Sequence, residues 1–536
     1  MEQSSQHSYP SVTLRDIEQL LRSRFHEEGF LSLAQLPDPS TFKDMDKATR
    51  RIIEAISRSE KIVLIGDYDV DGVVSTTLVK HFFDTIGYPL AWIIPNRFRD
   101  GYGLSANIIP RITEFDLALT VDNGIAAVEA AKLCAEHNIE LIITDHHMLP
   151  NQLPDAYAIV NQKQPECDFP FEEVCGAQIA WYLIASLNRA MRAKVDTKAY
   201  IGLVAIAIIA DMMPLQHINR AMVITGLQLL GRSPLPAIEA VRDWLDKTEL
   251  TAEDIGFQVA PVLNSAGRMD DAKWAVEFLL SDNIYDARVR LERLVGFNES
   301  RKAVEQQITQ EAMERVNHED PVIVVEGEDW HEGVVGIVAA RIGRLCEKPT
   351  IVLTRTHNGE LKGSGRSFHI CNLFKITNQA KALLTKFGGH HAAIGLSLPV
   401  ENLDRFRQVL QHNYLAENYQ EGYVDPDIMG VLPFSEISFE LTQMIKQFEP
   451  YGQANSRPKF ITHNVLIEDV NSMGKEGEHR RFLFSQNGVI HPAVLFKTRE
   501  SFQIGERISV IYTVNENHFN NRTSLQLMVE KIDKYL

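Results

Sequence analysis

Cysteine is scarce in this chain of 536 residues, and the few cysteines are not paired. The five are scattered along the sequence without a CxxC motif: Cys134, Cys167, Cys175, Cys346 and Cys371. A disulfide scaffold or a zinc ribbon needs closely spaced cysteines, so this distribution argues against both. We expect reduced thiols in the core or at the surface.

Long hydrophobic runs are also missing. The most apolar stretch, residues 200–213, has the length of one helix or buried strand and is followed by Pro214, whereas a membrane-spanning helix needs about 20 apolar residues. Residues 1–14 lack a basic segment followed by an apolar run, which is the pattern of a secretory signal. We therefore expect no membrane partner and a cytoplasmic location.

Positive charge is in short supply as well, because 54 Lys and Arg face 71 Asp and Glu and give a formal net charge of -17. Affinity for nucleic acid comes largely from Lys and Arg that neutralise phosphates, so the balance by itself argues against such a partner. A local basic groove can nevertheless bind DNA on an acidic protein, and carboxylates that bind metal ions add charge that the ions offset. A nucleic-acid partner therefore stays open.

Apolar runs, loops and helical periodicity alternate in the first part of the chain. The run KIVLI at residues 61–65 leads into the loop GDYDVDG and then into helical periodicity over residues 73–85. Residues 117–121 lead into DNGI and a helical stretch, and residues 140–144 lead into DHH. Such alternation predicts an α/β fold with a parallel, doubly wound sheet that binds ligands at the carboxyl ends of its strands.

The length predicts several domains. We place an α/β catalytic domain with an N-terminal extension at residues 1–225, and a helical connector at residues 226–315 whose last part forms one long helix. A smaller α/β domain is expected over residues 316–405. The alternating apolar runs near the end predict a junction and a small antiparallel β domain over residues 406–536.

Three carboxylates cluster in the GDYDVDG loop, at Asp67, Asp69 and Asp71. Their spacing matches the start of an EF-hand calcium loop, but that loop needs a Glu six residues after its Gly, and this position is Leu78. The apolar strand before the loop also rejects an EF-hand, which has a helix there. A solvated acidic turn is the plainer alternative, yet carboxylates clustered after a buried strand repel one another without a cation.

Metal-binding residue types recur after other apolar runs: Asp122 in TVDNGI, His146 and His147 in DHH, and Asp211 in IIADMMPL. Taken singly, they have plain roles as a helix cap, buried histidines and a turn former before a proline. Taken together, carboxylates with one or two imidazoles form a ligand set that suits Mn²⁺ or Mg²⁺ better than a thiolate-binding metal.

The motifs GDYDVDG, NRFRDGYGL, TVDNGI, DHH, ADMMPL and NSAGRMDDA occur in the order found in RecJ-like members of the DHH phosphoesterase family, which most of the chain resembles. Further along, WHEGVVGIVAARI, KGSGRS and GGHHAAIGL resemble the DHHA1 domain that accompanies the DHH domain, and the C-terminal part resembles a β-barrel of OB type. Any one of these motifs is a weak signal, whereas the ordered set is specific.

The resemblance implies a two-metal site and an activity. By motif position, two divalent ions, Mn²⁺ or Mg²⁺, are expected to be bound by Asp67, Asp69, Asp122, His146 and Asp211, with His147 beside them in catalysis. Asp71 is expected to support the ligands from behind. The implied reaction is hydrolysis of single-stranded DNA from its 5′ end, with release of nucleoside monophosphates, in recombination and repair.

The residues expected to hold the substrate lie in other matching motifs. They are Arg97 in NRFRDGYG, Asn264 and Arg268 in NSAGRM, Ser364 and Arg366 in KGSGRS, and His390 in GGHH. Arginine forks bind phosphate oxygens in pairs, and closely spaced glycines let the backbone approach a phosphate. A surface salt bridge is the alternative role for Arg97 and Arg268, and His391 leaves open which of the two adjacent histidines contacts substrate.

Two other functions stay open. One is a DHH-family phosphodiesterase of short oligonucleotides or cyclic dinucleotides, which would not need the C-terminal β domain. The other is a non-catalytic single-strand-binding relative, in which the acidic ligands would be eroded. Single-stranded DNA is the expected partner, the resemblance adds single-strand-binding protein and a DNA helicase, and a monomer is expected.

Overall fold

The computed structural model describes residues 9–25, 32–356, 359–417, 419, 425–474, 477–498, 500–519 and 522–534. Within these residues, no helix is both long enough and apolar enough to cross a membrane. The chain forms two α/β domains, a helical connector between them and a C-terminal β domain.

The first α/β domain is built on a five-stranded sheet in the order β2-β1-β3-β4-β5. Its strands are β1 (Ile62–Ile65), β2 (Ala91–Ile93), β3 (Leu117–Val121), β4 (Glu140–Thr144) and β5 (Ala158–Val160). Every neighbouring pair is parallel, as predicted. The strand order reverses between β1 and β3, which is where open α/β sheets bind ligands.

Helices cover both faces of this sheet. The helices of this part of the chain are α1 (Leu14–Ser23), α2 (Met45–Ser57), α3 (Val70–Thr85), α4 (Val128–Glu136), α5 (Gly176–Met191), α6 (Ile201–Ala210) and α7 (His217–Arg232). Ile62 and Leu64 of β1 share a core with α2, α3, α5 and α6, whereas Val63 and Ile65 pack with α4 on the opposite face. The sheet is buried on both sides, which explains its unbroken apolar strands.

The connector consists of α8 (Pro236–Leu245), α9 (Ala252–Asp254), α10 (Ala260–Met269), α11 (Lys273–Leu279) and α12 (Ile284–Met313). α12 has 30 residues and contacts α8, α10 and α11 as well as the second α/β domain, so the prediction of a long connecting helix is confirmed. The predicted connector start at residue 226 is wrong, because it falls inside α7, whose Gly226 packs against α6.

The second α/β domain holds a mixed sheet in the order β6-β7-β8-β10-β9. Its elements are β6 (Ile323–Glu328), α13 (Val335–Cys346), β7 (Thr350–Arg355), β8 (Glu360–Arg366), α14 (Leu373–Asn378), β9 (Lys386–His390), β10 (Ala393–Pro399) and α15 (Leu403–Ala416). Phe406 and Leu410 of α15 are fully buried in its core. The predicted domain end at residue 405 is therefore too early, since it would cut this helix.

The C-terminal β domain is a closed five-stranded barrel with one added strand. Its elements are β11 (Ile428–Val431), α16 (Phe439–Lys446), β12 (Lys459–Met473), β13 (His479–Gln486), β14 (Val489–Leu495), β15 (Arg507–Phe519) and β16 (Arg522–Asp533). Pairing of β12 with β15 closes the barrel, which removes the free sheet edges. The predicted OB-type barrel is confirmed, although β14 and β16 pair in parallel, which the sequence pattern did not indicate.

The first described segment of the N-terminal extension, residues 9–25, packs with the C-terminal β domain and not with the first α/β domain as predicted. Ile17 and Leu21 of α1 are fully buried in the same core as Phe434 and Phe460. The Val12 amide donates to the Val431 carbonyl at 3.0 Å. The physical reason is that α1 has a single apolar stripe, and the open side of the barrel core offers a matching apolar surface.

This packing predicts the stability of a substituted α1. We expect Leu21→Ala to lower the free energy of unfolding by about 2–5 kcal/mol, because it opens a cavity in the barrel core. The control is Leu20→Ala on the same helix, whose side chain is 42% exposed and whose loss should cost about 0.5 kcal/mol or less. Urea denaturation measures both, and equal values would contradict the assignment of α1 to this core.

Candidate active site

The five predicted metal ligands come from four separate places in the chain. Asp67 and Asp69 follow β1, Asp122 follows β3 and His146 follows β4, whereas Asp211 caps the carboxyl end of α6. Because β1 and β3 flank the point where the strand order reverses, side chains after them meet in the crevice there. The fold therefore brings all five together, with Asp211 supplied by a helix end.

His146 lies in the middle of this cluster. Its Nε2 is 3.2 Å from Asp122 Oδ1, 3.6 Å from Asp211 Oδ2 and 3.8 Å from Asp71 Oδ2. Among the residues that the structure describes, three sets have ligand atoms within 4.8 Å of one another: Asp67, Asp69 and Asp122; Asp71, His146 and Asp211; Asp122, His146 and His147. Asp122 and His146 each belong to two of these sets, so the three sets form one continuous cluster.

Four carboxylate oxygens of the cluster have no hydrogen-bond partner among the described residues. Asp67 Oδ1, both oxygens of Asp122 and Asp211 Oδ2 are buried and accept no hydrogen bond. Burial, followed by the charges of neighbouring aspartates, raises the pKa of Asp67 and Asp122 well above the usual range and the pKa of Asp211 to about 9. Unpaired buried charge is costly, so this donor set fits bound cations, and oxygen donors with one imidazole suit Mn²⁺ or Mg²⁺.

Glycines let two helices begin directly against these ligands. A Cβ on Gly176, at the start of α5, would lie 2.5 Å from Asp122 Cβ, and a Cβ on Gly72, in the first turn of α3, would lie 2.5 Å from the Asp67 carbonyl oxygen. Asp122 itself has a φ of 60°, in the left-handed region that few residues other than Gly occupy. Backbone and ligands are thus packed too closely for larger residues.

Asp71 is held by the backbone. Its carboxylate accepts the amides of Gly176 at 2.5 Å and Ala177 at 2.8 Å, which are the free N–H groups at the start of α5. Burial and the charge of Asp69 nevertheless raise its pKa to about 6. The loop after β1 is thereby fixed to α5.

His147 is oriented by Asp145, a residue that was not among the predicted site residues. Asp145 Oδ1 accepts His147 Nδ1 at 2.7 Å, and Asp145 Oδ2 accepts the Ile125 amide at 2.9 Å. Burial disfavours the charged imidazole, but the hydrogen bond and charge of Asp145, with the charges of Asp67 and Asp69, together raise the pKa of His147 to about 9. His147 Nε2 lies 3.3 Å from the Tyr102 hydroxyl, so the two groups share the rim of the cluster.

Two further supporting residues were also missed. Asn123 Nδ2 donates to the Ile65 and Val121 carbonyls at 3.0 and 2.9 Å and so ties β1 to β3 beside the ligands. Lys163 Nζ donates to the His146 carbonyl at 2.8 Å and places a positive charge near Asp211. Asp145 and Asn123 stand in the quoted motifs DHH and TVDNGI, whereas Lys163 had no such signal.

Arg97 lies directly over the loop that carries two of the ligands. Its Cζ is 4.2 Å from the centre of the Tyr68 ring, and Tyr68 stands between Asp67 and Asp69. The Nε of Arg97 is buried without a hydrogen-bond partner, so the surface salt bridge considered from sequence is not its role among the described residues.

α10 brings Asn264 and Arg268 to the same place. They are one helical turn apart and share a face. A Cβ on Gly267 would lie 2.5 Å from the Tyr68 carbonyl oxygen, so α10 packs against the ligand loop. Arg268 Nη1 donates to the Gly333 carbonyl at 3.2 Å, which joins α10 to the segment before α13.

The second α/β domain contributes Ser364, Arg366 and His390. A Cβ on Gly336, in the first turn of α13, would lie 2.9 Å from Arg366 Nη2 and 3.3 Å from Ser364 Oγ, so both side chains face a helix N-terminus, which favours phosphate. His390 ends β9, and burial together with the charges of His391 and Arg366 lowers its pKa. Ala393 of β10 pairs with both Arg366 and His390, so these two side chains lie on the same face of the sheet.

Arg97, Arg268 and Arg366 form one group, which we call the arginine cluster. Burial and the charge of Arg97, followed by that of Arg366, lower the pKa of Arg268 to about 10, and burial and Arg97 lower the pKa of Arg366. Cations held together in this way favour an anion, and arginine forks match phosphate oxygens. The arginine cluster thus joins the first α/β domain, the connector and the second α/β domain.

Comparison with known proteins assigns the three globular parts. Residues 61–208 match the DHH family, N-terminal domain; residues 319–414 match the DHHA1 domain; and residues 428–531 match the RecJ OB domain. The single-stranded-DNA-specific exonuclease RecJ of Haemophilus influenzae is 31% identical over 535 residues, which cover 94% of this chain and 92% of that protein. This chain belongs to the RecJ family.

Other RecJ proteins also match this chain over most of its length. The RecJ of Bacillus subtilis is 34% identical over 93% of this chain, and the match spans 64% of that longer protein. The crystal structure of RecJ in complex with Mn²⁺ from Thermus thermophilus superposes with a TM-score of 0.81 at 23% identity, covering 99% of this chain and 80% of that one. The fold of the chain is therefore the RecJ fold throughout.

The unpaired carboxylates predict that the residues suited to binding a metal ion lower the stability of the metal-free protein. We expect Asp122→Asn to raise the Tm of the metal-free protein by about 2–4 °C, because it removes one buried charge from a group of like charges. Mn²⁺ should raise the Tm of the unsubstituted protein and have less effect on the variant. Thermal unfolding with a chelator and with Mn²⁺ measures this. Asp155→Asn, at an exposed carboxylate, is the control, and a lower Tm for metal-free Asp122→Asn would contradict the prediction.

Proposed function

We propose that this chain is a metal-dependent exonuclease that hydrolyses single-stranded DNA from the 5′ end and releases 5′-mononucleotides, in DNA recombination and repair. The observation that carries the proposal is the presence of two sites in one cleft. A carboxylate and histidine cluster with unpaired buried oxygens lies beside the arginine cluster at the N-terminus of α13. A ligand cluster alone fits many hydrolases, whereas an adjoining phosphate site fits an enzyme that holds a strand end.

The proposed ligands are Asp67, Asp69, Asp122, His146 and Asp211, with His147 as a further catalytic residue. Two Mn²⁺ or Mg²⁺ ions bound there would activate a water and offset charge on the scissile phosphate and the leaving oxygen. The Thermus thermophilus RecJ structure contains Mn²⁺, which supports the choice of ion.

The proposed reaction breaks one bond and forms one. A water oxygen bonds to phosphorus, the bond from phosphorus to O3′ of the terminal nucleotide breaks, and that O3′ takes up a proton. The terminal nucleotide leaves as a 5′-monophosphate, and the remaining strand keeps the cleaved phosphate as its new 5′ end. Tyr102 and His147 lie at the rim of the ligand cluster, where their polar hydrogens can contact the phosphate oxygens.

The proposed direction of degradation, from the 5′ end, follows from the arginine cluster. Arg268 and Arg366, with Ser364 and the first turn of α13, offer donors to a phosphate monoester, which carries more charge and more free oxygens than an internal phosphodiester. A natural 5′ end bears such a group and each cycle regenerates it. Gly267 packs on the ligand loop, so the terminal phosphate and the scissile phosphate are held close together. Arg97, Asn264 and His390 are proposed to hold the first nucleotides.

The two alternative functions fit less well. A phosphodiesterase of short oligonucleotides or cyclic dinucleotides has no use for the C-terminal barrel, whereas OB-type barrels commonly guide a single strand. A non-catalytic single-strand-binding relative would not retain unpaired buried carboxylates that cost stability. Single-stranded DNA is the proposed partner, and single-strand-binding protein, a DNA helicase, a monomeric state and a cytoplasmic location are proposed from family membership.

The first test combines a ligand variant with end-labelled strands. We expect the unsubstituted protein with Mn²⁺ to release labelled mononucleotide at once from a 5′-labelled strand, and to leave the label of a 3′-labelled strand on shortening fragments. Asp122→Ala should reduce release to background while the fold and much of the DNA affinity remain. Asp155→Ala serves as the control. Immediate release of labelled mononucleotide from the 3′-labelled strand would contradict the proposed direction of degradation. Full activity of Asp122→Ala would contradict the assignment of Asp122 as a metal ligand.

The second test concerns the strand end. We expect Arg366→Ala to lower the preference for a 5′-phosphorylated over a 5′-hydroxyl strand about tenfold, since charged hydrogen bonds contribute about 1.5–3 kcal/mol. Arg405→Ala, an exposed arginine of the same domain, should keep the preference. Competition kinetics on the two strands measure the ratio. An equal loss on both strands would assign Arg366 to general strand binding instead.

A further inference from the structure

One face of a connector helix continues from the arginine cluster toward the C-terminal barrel. α9, a π-helix at Ile255–Val259 and α10 follow one another without a break. Phe257, Pro261, Asn264 and Arg268 recur at spacings of three or four residues, which places them on one side of a helix. We call these four residues the connector face.

Phe257 is unusual on this face because its side chain is 80% exposed. A single exposed apolar residue is ordinary, but Phe257 also lies in the π-helix. Pro261 has no N–H for the Phe257 carbonyl, and the Ala260 amide bonds to the Ile255 carbonyl five residues back. Short π segments recur at functional sites, and here the segment is continuous with two proposed nucleotide-binding residues.

The surroundings of Phe257 link the ligand cluster to the barrel. A Cβ on Gly256 would lie 3.5 Å from Ile209 Cγ2, and Ile209 is two residues before the proposed ligand Asp211. On the other side, Glu253 stands one turn before Phe257, and Arg457 Nη1 lies 3.5 Å from its carboxylate. Arg457 is two residues before β12, so the connector face ends where the barrel begins, and the carboxylate of Glu253 is paired there.

We propose that Phe257 is a stacking platform for a base of the single strand behind the cleaved nucleotide. The inference rests on the proposed function and adds a residue to it. At 1.5 Å per residue, Phe257 lies about 16 Å along the helix from Arg268, which is roughly five nucleotides at the 3.4 Å spacing of a stacked strand. An aromatic ring stacks on any base, so the contact suits a strand of any sequence.

The test measures binding without cleavage. In the Asp122→Ala background, we expect Phe257→Ala to raise the Kd of a 5′-phosphorylated dT20 strand about tenfold, from loss of one stacked base, and to raise the Kd of a dT3 strand much less. Phe257→Trp should keep the affinity, and Phe257→Leu should lose it. Tyr285→Ala is the matched control, because Tyr285 is 75% exposed on α12 and outside the connector face.

A spectroscopic measurement separates stacking from a general loss of affinity. 2-Aminopurine placed in turn at positions two to eight of the dT20 strand should be quenched on binding at a position near the fifth, and Phe257→Ala should relieve that quenching alone. If Phe257→Ala binds dT20 as tightly as its parent, the platform is refuted while the exonuclease proposal stands. If the parent protein neither binds nor degrades dT20, the proposed function itself has failed.

Discussion

Repulsion among buried carboxylates is the constraint on which the first domain depends. Asp67, Asp122 and Asp211 carry oxygens without hydrogen-bond partners in a buried crevice, where a charged carboxylate is unfavourable. A protein without a cation requirement would gain stability by losing any of them. The supporting contacts, among them the amides of α5 on Asp71 and the Asn123 bridge between β1 and β3, hold the carboxylates at close range against this repulsion.

The arginine cluster is the electrostatic counterpart of this crevice. Arg97 comes from the first α/β domain, Arg268 from the connector and Arg366 from the second α/β domain. Burial, Arg97 and Arg366 lower the pKa of Arg268, and burial and Arg97 lower the pKa of Arg366. The three parts of the chain therefore meet where like positive charges favour an anionic partner. Under the proposed function, the anionic strand pairs with the arginines and bound divalent cations pair with the carboxylates, so substrate binding is coupled to the arrangement of the domains.

The barrel is tied to the catalytic part of the chain by packing and by ion pairs. α1 packs in the barrel core although it precedes the first α/β domain in sequence. The Leu215 amide donates to the Gln453 carbonyl at 2.8 Å, a few residues after Asp211. The barrel is therefore anchored close to the ligand cluster.

Much of the fold and site could be predicted from local pattern. Asp67, Asp69, Asp122 and His146 stand directly after short apolar runs, and parallel strands bring their ends to one edge, so their meeting follows from periodicity and strand polarity. The family resemblance supplied the roles of Arg268, Ser364 and Arg366. Other features depend on contacts between distant segments: the supply of Asp211 by a helix end, the bond from Lys163 to the His146 carbonyl, the limits of α7 and α15, and the placement of α1 in the barrel. The apolar stripe of α1 requires that this helix be buried, but it does not specify the surface against which the helix packs. Only the tertiary structure decides between the available cores.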